Sequence, residues 1–95
     1  MSYHVIFTDE ADDTFDSIGN QIANRWGERE RNAFRKRVYE VVDTIADFPF
    51  IFKTVRGDLN LRKAFIHSNC SMFYRISDSR IEVLFFWDNR QDPIL

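Results

Sequence analysis

The chain has 95 residues, of which 44% are hydrophobic and 16% aromatic, and its formal net charge is −2. This composition excludes an intrinsically disordered chain, and the length predicts a single domain that spans residues 1–95. The weakly negative charge argues against sequence-independent nucleic-acid binding, because such binding draws on many phosphate contacts.

The first predicted elements are a strand at Tyr3–Phe7 and a helix over about 9–26. Thr8 is a typical N-cap residue, and several acids follow it in the first turn, where the helix dipole favours negative charge. Apolar residues then recur at helical spacing. Gly27 is predicted to end the helix, because glycine adopts the left-handed conformation without a steric penalty.

A second helix is predicted from about Glu28 to Phe48, where Pro49 stops it. One side carries an apolar stripe, and the other carries a basic cluster that we interpret as a solvated face paired with nearby glutamates. Because only a Trp-Gly turn separates the two helices, they are predicted to form an antiparallel hairpin. The following loop, 49–58, contains three apolar residues that are predicted to pack against the helices: Phe50, Ile51 and Phe52.

Residues 59–92 are predicted to form a three-stranded antiparallel meander, because three apolar, β-prone runs are separated by two polar turns. The turns are His67-Ser68-Asn69 and Ser77-Asp78-Ser79. The third strand, Arg80–Trp87, is apolar on both sides and is interpreted as a central strand. Alternation places four of its apolar residues on one face: Ile81, Val83, Phe85 and Trp87.

The predicted order β-α-α-β-β-β is an α+β fold. A helical hairpin packs on one face of a small, mainly antiparallel sheet, with the first strand at one edge. The other face stays partly open and is predicted to carry Arg62, Arg75 and Arg90. The ten Phe fit either a Phe-rich core or an aromatic surface that faces a protein partner.

The middle of the chain is basic although the protein is acidic overall. Residues 53–75 contain five bases and one acid, which gives a local charge of +4. This stretch is predicted to bind RNA or another target, and the alternative is a solvated sheet face that balances the acidic helices. The predicted RNA- or target-binding residues are Lys53, Arg56, Lys63 and Arg75.

Other chemical sites carry weaker signals. His4 has no second ligand at metal-binding spacing, so we predict no metal site and no cofactor. Cys70 lies three residues from His67, but no orienting acid is evident, so we interpret it as a structural thiol. With one cysteine and no apolar run near the roughly 18 residues of a membrane span, we expect a cytoplasmic protein without a membrane partner.

Several short strings occur in a fixed order along nearly the whole chain. They are Tyr3-His4-Val5-Ile6-Phe7-Thr8, Arg25-Trp26-Gly27, Phe48-Pro49, Leu61-Arg62, Phe73-Tyr74-Arg75-Ile76 and Phe86-Trp87-Asp88-Asn89-Arg90-Gln91-Asp92-Pro93. The ordered set resembles the RelE/ParE superfamily of toxins from bacterial type II toxin–antitoxin systems. The last string looks like the closing motif of the ParE-like, plasmid-stabilisation branch.

This resemblance implies a toxin that is neutralised by a cognate antitoxin encoded beside it. RelE-like members cut mRNA in the ribosomal A site, which needs cations near the scissile phosphate and a group that activates the ribose 2′-hydroxyl. Carried over by position, Arg62 and Arg90 match catalytic cations of that branch. Ala64 and Ser71 stand where a lysine and an arginine are expected, and no tyrosine follows the last strand.

Three functions remain open at this point. A ParE-like toxin would inhibit DNA gyrase by protein–protein binding, and the ending of the chain favours this reading. A RelE-like, ribosome-dependent mRNA endonuclease would use Arg62 and Arg90 as its catalytic residues, so the resemblance leaves open whether the chain is an enzyme. A non-toxic module would keep the fold and only form a complex with a protein partner.

Overall fold

The computed structural model describes residues 2–90, which form two helices and a five-stranded sheet. The elements are β1 (His4–Phe7), α1 (Asp9–Trp26), α2 (Glu28–Asp47), β2 (Thr54–Val55), β3 (Asp58–His67), β4 (Cys70–Ser77) and β5 (Arg80–Asp88). The sheet order is β1-β5-β4-β3-β2, in which β1 is parallel to β5 and every other pair is antiparallel. The predicted α+β fold is confirmed. The predicted residues 91–93 of the closing motif lie outside the described residues.

The bounds of α1 follow from the residues at its two ends. The Thr8 hydroxyl accepts a hydrogen bond from the Ala11 backbone N–H at 3.1 Å, so Thr8 is the N-cap. Gly27 ends the helix with a φ of 100°, a backbone conformation in which a side chain would be strained. Both predicted ends are confirmed. Neither helix in the described part of the chain is long and apolar enough to cross a membrane.

The core lies between the helical hairpin and one face of the sheet, which we call the helix-covered face. The larger core residues are Ile18, Ile22, Phe34, Val38, Val41, Ile45, Ile66, Met72, Tyr74, Ile81, Val83 and Phe86. The Phe86 ring lies 5.9 Å from the Phe7 ring and 5.4 Å from the Phe15 ring, centroid to centroid. Burying a Phe contributes about 1.5–3 kcal/mol, so this cluster holds β1, α1 and β5 together.

A β-bulge in β5 reverses the side-chain alternation of that strand. The register against β4 skips Leu84, so Val83 and Phe86 both face the helices. Phe85 turns to the opposite face, where its ring stacks on Phe73 with centroids 4.7 Å apart. The prediction that Val83 and Phe85 share a face is therefore wrong, because one inserted residue shifts a two-residue period by one.

Two threonines of the α1 region form hydrogen bonds with backbone groups beside this bulge. The Thr8 hydroxyl donates to the Leu84 carbonyl oxygen at 2.8 Å. The Thr14 hydroxyl accepts from the Phe86 backbone N–H at 2.9 Å. An unpaired buried backbone group costs stability, so these contacts fix α1 against β5 in one register.

β3 also differs from the prediction in the side chains that it presents. Arg62 pairs with Tyr74 across the strands, and Ala64 is fully buried, so both lie on the helix-covered face. Leu59 and Phe65 are 83% and 56% exposed. The prediction that Arg62 lies on the open face is therefore wrong. The pairing of β3 with β4, and not the apolar pattern of β3, decides which of its side chains face the helices.

The loop after α2 holds a short strand that was not predicted, since the two residues of β2 are too few to show a period. Phe52 packs against the core as predicted. Phe50 and Ile51 do not, because they are 64% and 57% exposed. The prediction that all three apolar loop residues pack against the helices is therefore wrong for two of them.

Candidate functional site and protein-binding surfaces

The structure places the six predicted site residues in three separate regions. Lys53, Arg56 and Arg62 lie around β2 and β3, Lys63 and Arg75 lie on the open face, and Arg90 follows β5. Along β4, Arg62 is opposite Tyr74, whereas the Asp88 end of β5 is opposite Cys70, four residues away. At about 3.4 Å per residue, roughly 14 Å of strand separates these two ends. The predicted catalytic pair therefore does not converge.

Arg62 is bound to the loop that precedes β2. Its Nη1 donates to the Phe52 carbonyl oxygen at 2.6 Å, and its guanidinium lies 5.0 Å from the centroid of the Phe50 ring. Beside it, the buried Tyr74 hydroxyl donates to the Pro49 carbonyl oxygen at 2.8 Å. Burial raises the pKa of Tyr74 to about 12, partly offset by the charge of Arg62. Tyr74 and Arg62 thus hold the loop from the core side.

This loop exposes an apolar surface, which we call the aromatic tip and define as Phe48–Ile51. Phe48, Phe50 and Ile51 are 65%, 64% and 57% exposed, whereas Pro49 is buried. The Ile51 backbone N–H donates to the Phe48 carbonyl oxygen at 3.1 Å and closes the segment into a turn. The tip therefore presents apolar side chains on a hydrogen-bonded backbone. The sequence pointed to an aromatic surplus but not to its place.

Arg90 forms an ion pair with Asp88 at the other end of the sheet. Its Nη2 lies 2.7 Å from Oδ2, and its Nε lies 3.0 Å from Oδ1. The guanidinium also lies 5.4 Å from the Trp26 ring centroid, on the α1 side. The hydrogen bonds from Arg90 lower the pKa of Asp88. The prediction that Arg90 lies on the open face is therefore wrong.

His67 and Cys70 lie beside Asp88, the acid that the sequence did not reveal. Nδ1 of His67 accepts a hydrogen bond from the Asn69 backbone N–H at 3.1 Å. Burial raises the pKa of the Cys70 thiol to about 12 and lowers the pKa of His67. A thiol with that pKa is protonated at neutral pH and is a poor nucleophile. This agrees with the interpretation of Cys70 as a structural thiol.

The open face carries Arg75, as predicted, together with Lys63. Arg75 Nε lies 2.6 Å from Glu82 Oε1, and the Lys63 ammonium lies 6.0 Å from the centroid of the Phe73 ring. The Arg75 side chain is 53% exposed, so its ion pair contributes less than about 1 kcal/mol. Both cations contact neighbouring side chains on a face that is apolar in part.

A groove of about 320 Å³ opens beside the turn between the two helices. Its lining residues are Ile22, Trp26, Glu30, Ala33, Phe34, Arg37 and His67. Arg37 is anchored at its edge, because Nε donates to the Ile66 carbonyl oxygen at 2.9 Å. Apolar walls with a charged rim suit an amphipathic segment of a partner protein. Within residues 2–90, no group of three or more His, Cys, Asp or Glu residues is placed to hold a metal ion.

Residues 5–93 match the profile of a family described as the ParE toxin of the type II toxin–antitoxin system parDE. This chain belongs to the ParE toxin family. The predicted membership in the RelE/ParE superfamily is thereby confirmed. No curated protein matches this ParE-family sequence at a significant level.

Solved structures share the fold of this ParE-family chain at low sequence identity. One is a chromosomal ParDE toxin–antitoxin system from Pseudomonas aeruginosa, with a TM-score of 0.77 and 13% identity over 92% of this chain and 96% of that one. Another is the RelBE2 toxin–antitoxin complex from Mycobacterium tuberculosis, with a TM-score of 0.61 and 18% identity over 93% and 99%. A third is the YoeB/ParE toxin from Agrobacterium tumefaciens, with a TM-score of 0.65 and 17% identity over 90% and 96%.

Proposed function

We propose that this chain is the toxin of a type II toxin–antitoxin pair that serves plasmid stabilisation. It acts in the bacterial cytoplasm by binding a cellular target protein, with DNA gyrase as the first candidate. Membership in the ParE family supports the toxin role. The observation that favours protein binding over RNA cutting is that Arg62 and Arg90 lie at opposite ends of the sheet.

A RelE-like ribonuclease needs its cations and its acid or base around one phosphate. In this chain, roughly 14 Å of strand separates the Arg62 end of the sheet from the Arg90 end. Arg62 donates to a loop carbonyl, and Arg90 is paired with Asp88. Because each guanidinium serves a contact within the protein, the arrangement favours a toxin that works through its surface.

A cognate antitoxin is the second proposed partner. The similar structures from Pseudomonas aeruginosa and Mycobacterium tuberculosis come from toxin–antitoxin systems, which supports an antitoxin partner for this chain. The groove beside the helical turn, walled by Ile22, Trp26 and Phe34, offers an apolar seat for an amphipathic antitoxin segment.

The deciding experiment is pulse labelling of DNA and protein synthesis after this chain is induced in bacteria that lack the antitoxin. We expect DNA synthesis to stop first and growth to resume when the small protein encoded beside the gene is co-expressed. The Arg90→Ala variant is the matched control and should still arrest growth, because the proposed action does not use that cation in cutting. If translation stops first, the ribonuclease function replaces this proposal, and if neither stops, the chain is a non-toxic binding module.

A further inference from the structure

We infer that the aromatic tip, Phe48–Ile51, is the surface through which the toxin binds its target. It fits an apolar pocket with a carboxylate rim on a folded target protein. This inference rests on the proposed function and names the part of the toxin that carries it out.

The first argument is the exposure of the tip. Phe48, Phe50 and Ile51 leave more than half of their surface in water within a single four-residue segment. Single exposed apolar residues are common, but a contiguous exposed apolar patch on a small protein marks an interaction site. Large aromatic anchors of this kind also dominate the binding energy of protein interfaces.

The second argument is that the tip is held in shape. Tyr74 Oη donates to the carbonyl of Pro49, Arg62 Nη1 donates to the carbonyl of Phe52, and the turn itself is closed by a backbone hydrogen bond. These contacts fix the backbone on both sides of the exposed rings. A preorganised loop loses little conformational freedom on binding, which is the property expected of a recognition element.

The third argument is the charge around the tip. Lys53 and Arg56 are exposed, and neither they nor Arg62 form an ion pair with another described residue. The nearby acids, Asp47 and Asp58, accept hydrogen bonds from neutral donors and keep their negative charge, so residues 47–62 carry a net charge of +1. This excess of positive charge, with the Arg62 guanidinium 5.0 Å from the Phe50 ring centroid, is complementary to carboxylates around an apolar pocket.

The position of the tip separates it from the groove proposed for the antitoxin. The helical groove at Phe34 and the tip at Phe48 are separated by 14 residues of α2, or about 21 Å at 1.5 Å per residue. The groove and the tip are therefore two separate surfaces, and an antitoxin segment in the groove leaves the tip free to bind a folded target.

The test uses the Phe48→Ser/Ile51→Ser double variant, which leaves Phe50 and its contact with Arg62 in place. Both altered side chains are exposed, so we expect an unchanged melting temperature. Affinity for purified DNA gyrase should fall about tenfold or more, and growth arrest should weaken in parallel. The matched control is Phe65→Ser, which removes an equally exposed ring from β3 and should change gyrase affinity less than twofold.

The outcomes separate this inference from the proposed function. A folded tip variant that binds gyrase and arrests growth like the unaltered chain overturns the inference and leaves the toxin role intact. A tip variant that stays toxic but escapes the protein encoded beside the gene assigns the tip to the antitoxin and also overturns the inference. If the unaltered chain neither binds gyrase nor arrests growth, the proposed function is wrong. Gyrase is then also excluded as the protein that binds the tip.

Discussion

Two arginines at opposite ends of the sheet do different structural work. Arg62 reaches the Phe52 carbonyl and the Phe50 ring next to the buried Tyr74, so it helps to hold the loop that precedes β2. Arg90 pairs with a neighbouring carboxylate at a partly solvated end of β5. Two arginines that look alike in a sequence can thus have different roles. Only their partners in the fold show whether each stabilises the backbone or holds a surface contact.

The largest expected effect on stability comes from removing the Arg62 side chain. Arg62→Ala removes a hydrogen bond from a charged donor and should lower the free energy of unfolding by about 2 kcal/mol. Arg90→Ala removes a part-buried ion pair, but the buried Asp88 carboxylate keeps its hydrogen bond from the residue 90 backbone N–H, so we expect a smaller loss of about 1 kcal/mol. Urea denaturation of both variants at pH 7 measures the difference. Equal losses would show that the two ends are energetically alike.

The second prediction tests the hydrogen bond from Tyr74 to the same loop. Tyr74→Phe keeps the buried ring but leaves the Pro49 carbonyl without its donor, so we expect a loss of about 1 kcal/mol. The control is Tyr39→Phe, because the Tyr39 side chain is half-exposed on α2 and its loss of a hydroxyl should change stability little. Matching melting curves for the two variants would show that the Tyr74 hydroxyl does not stabilise the loop.

The third prediction concerns acid at the Arg90 end. Because the folded pKa of Asp88 is lowered, its contribution is complete above the ordinary carboxyl pKa near 4 and is lost as pH falls through the folded pKa. Asp88→Asn should remove this part of the acid sensitivity, which amounts to about 1 kcal/mol. Unfolding free energies measured between about pH 2 and 6 test it. Parallel curves for Asp88→Asn and the unaltered chain would contradict it.

The smallest expected effect belongs to His67. Burial lowers its pKa, so the unfolded chain takes up this proton first, and stability should fall slightly as pH drops from 7 through the ordinary value near 6.5. His67→Asn keeps an acceptor for the Asn69 N–H and should flatten that slope. His4→Asn, at an exposed position, is the control. If NMR shows the His67 ring titrating at or above the ordinary pKa, burial does not control its protonation and the prediction is refuted.

The helices and the order of the elements could be predicted because their signals are local. Thr8 and Gly27 mark the ends of α1 through backbone conformations that depend on neighbours in the chain. The polar turns around Ser68 and Asp78 likewise separate β3, β4 and β5 where expected. The two-residue β2 could not be predicted, because it exists only through its pairing with β3.

The candidate site could be predicted only in part, because the surroundings of its residues depend on contacts that form only in the fold. Placing Arg75 on the open face was correct. The placement of Arg62 and Arg90 was wrong: pairing with Tyr74 turns Arg62 towards the helix-covered face, and Arg90 pairs with Asp88 and lies near the Trp26 ring at the end of α1. The exposure of Phe50 is also a tertiary result, since an apolar side chain gives no local sign of which surface will cover it.

The α+β class and the helical hairpin could be predicted because caps, turns and periodic apolar residues act over a few positions, and the ordered short strings carried the resemblance to a toxin family. Which face each strand presents was set only in the folded protein. The bulge at Leu84 turns Phe85 away from the core, and pairing with Tyr74 turns Arg62 towards the helix-covered side. Strand phase depends on register between chain segments, and a shift of one residue exchanges the two faces.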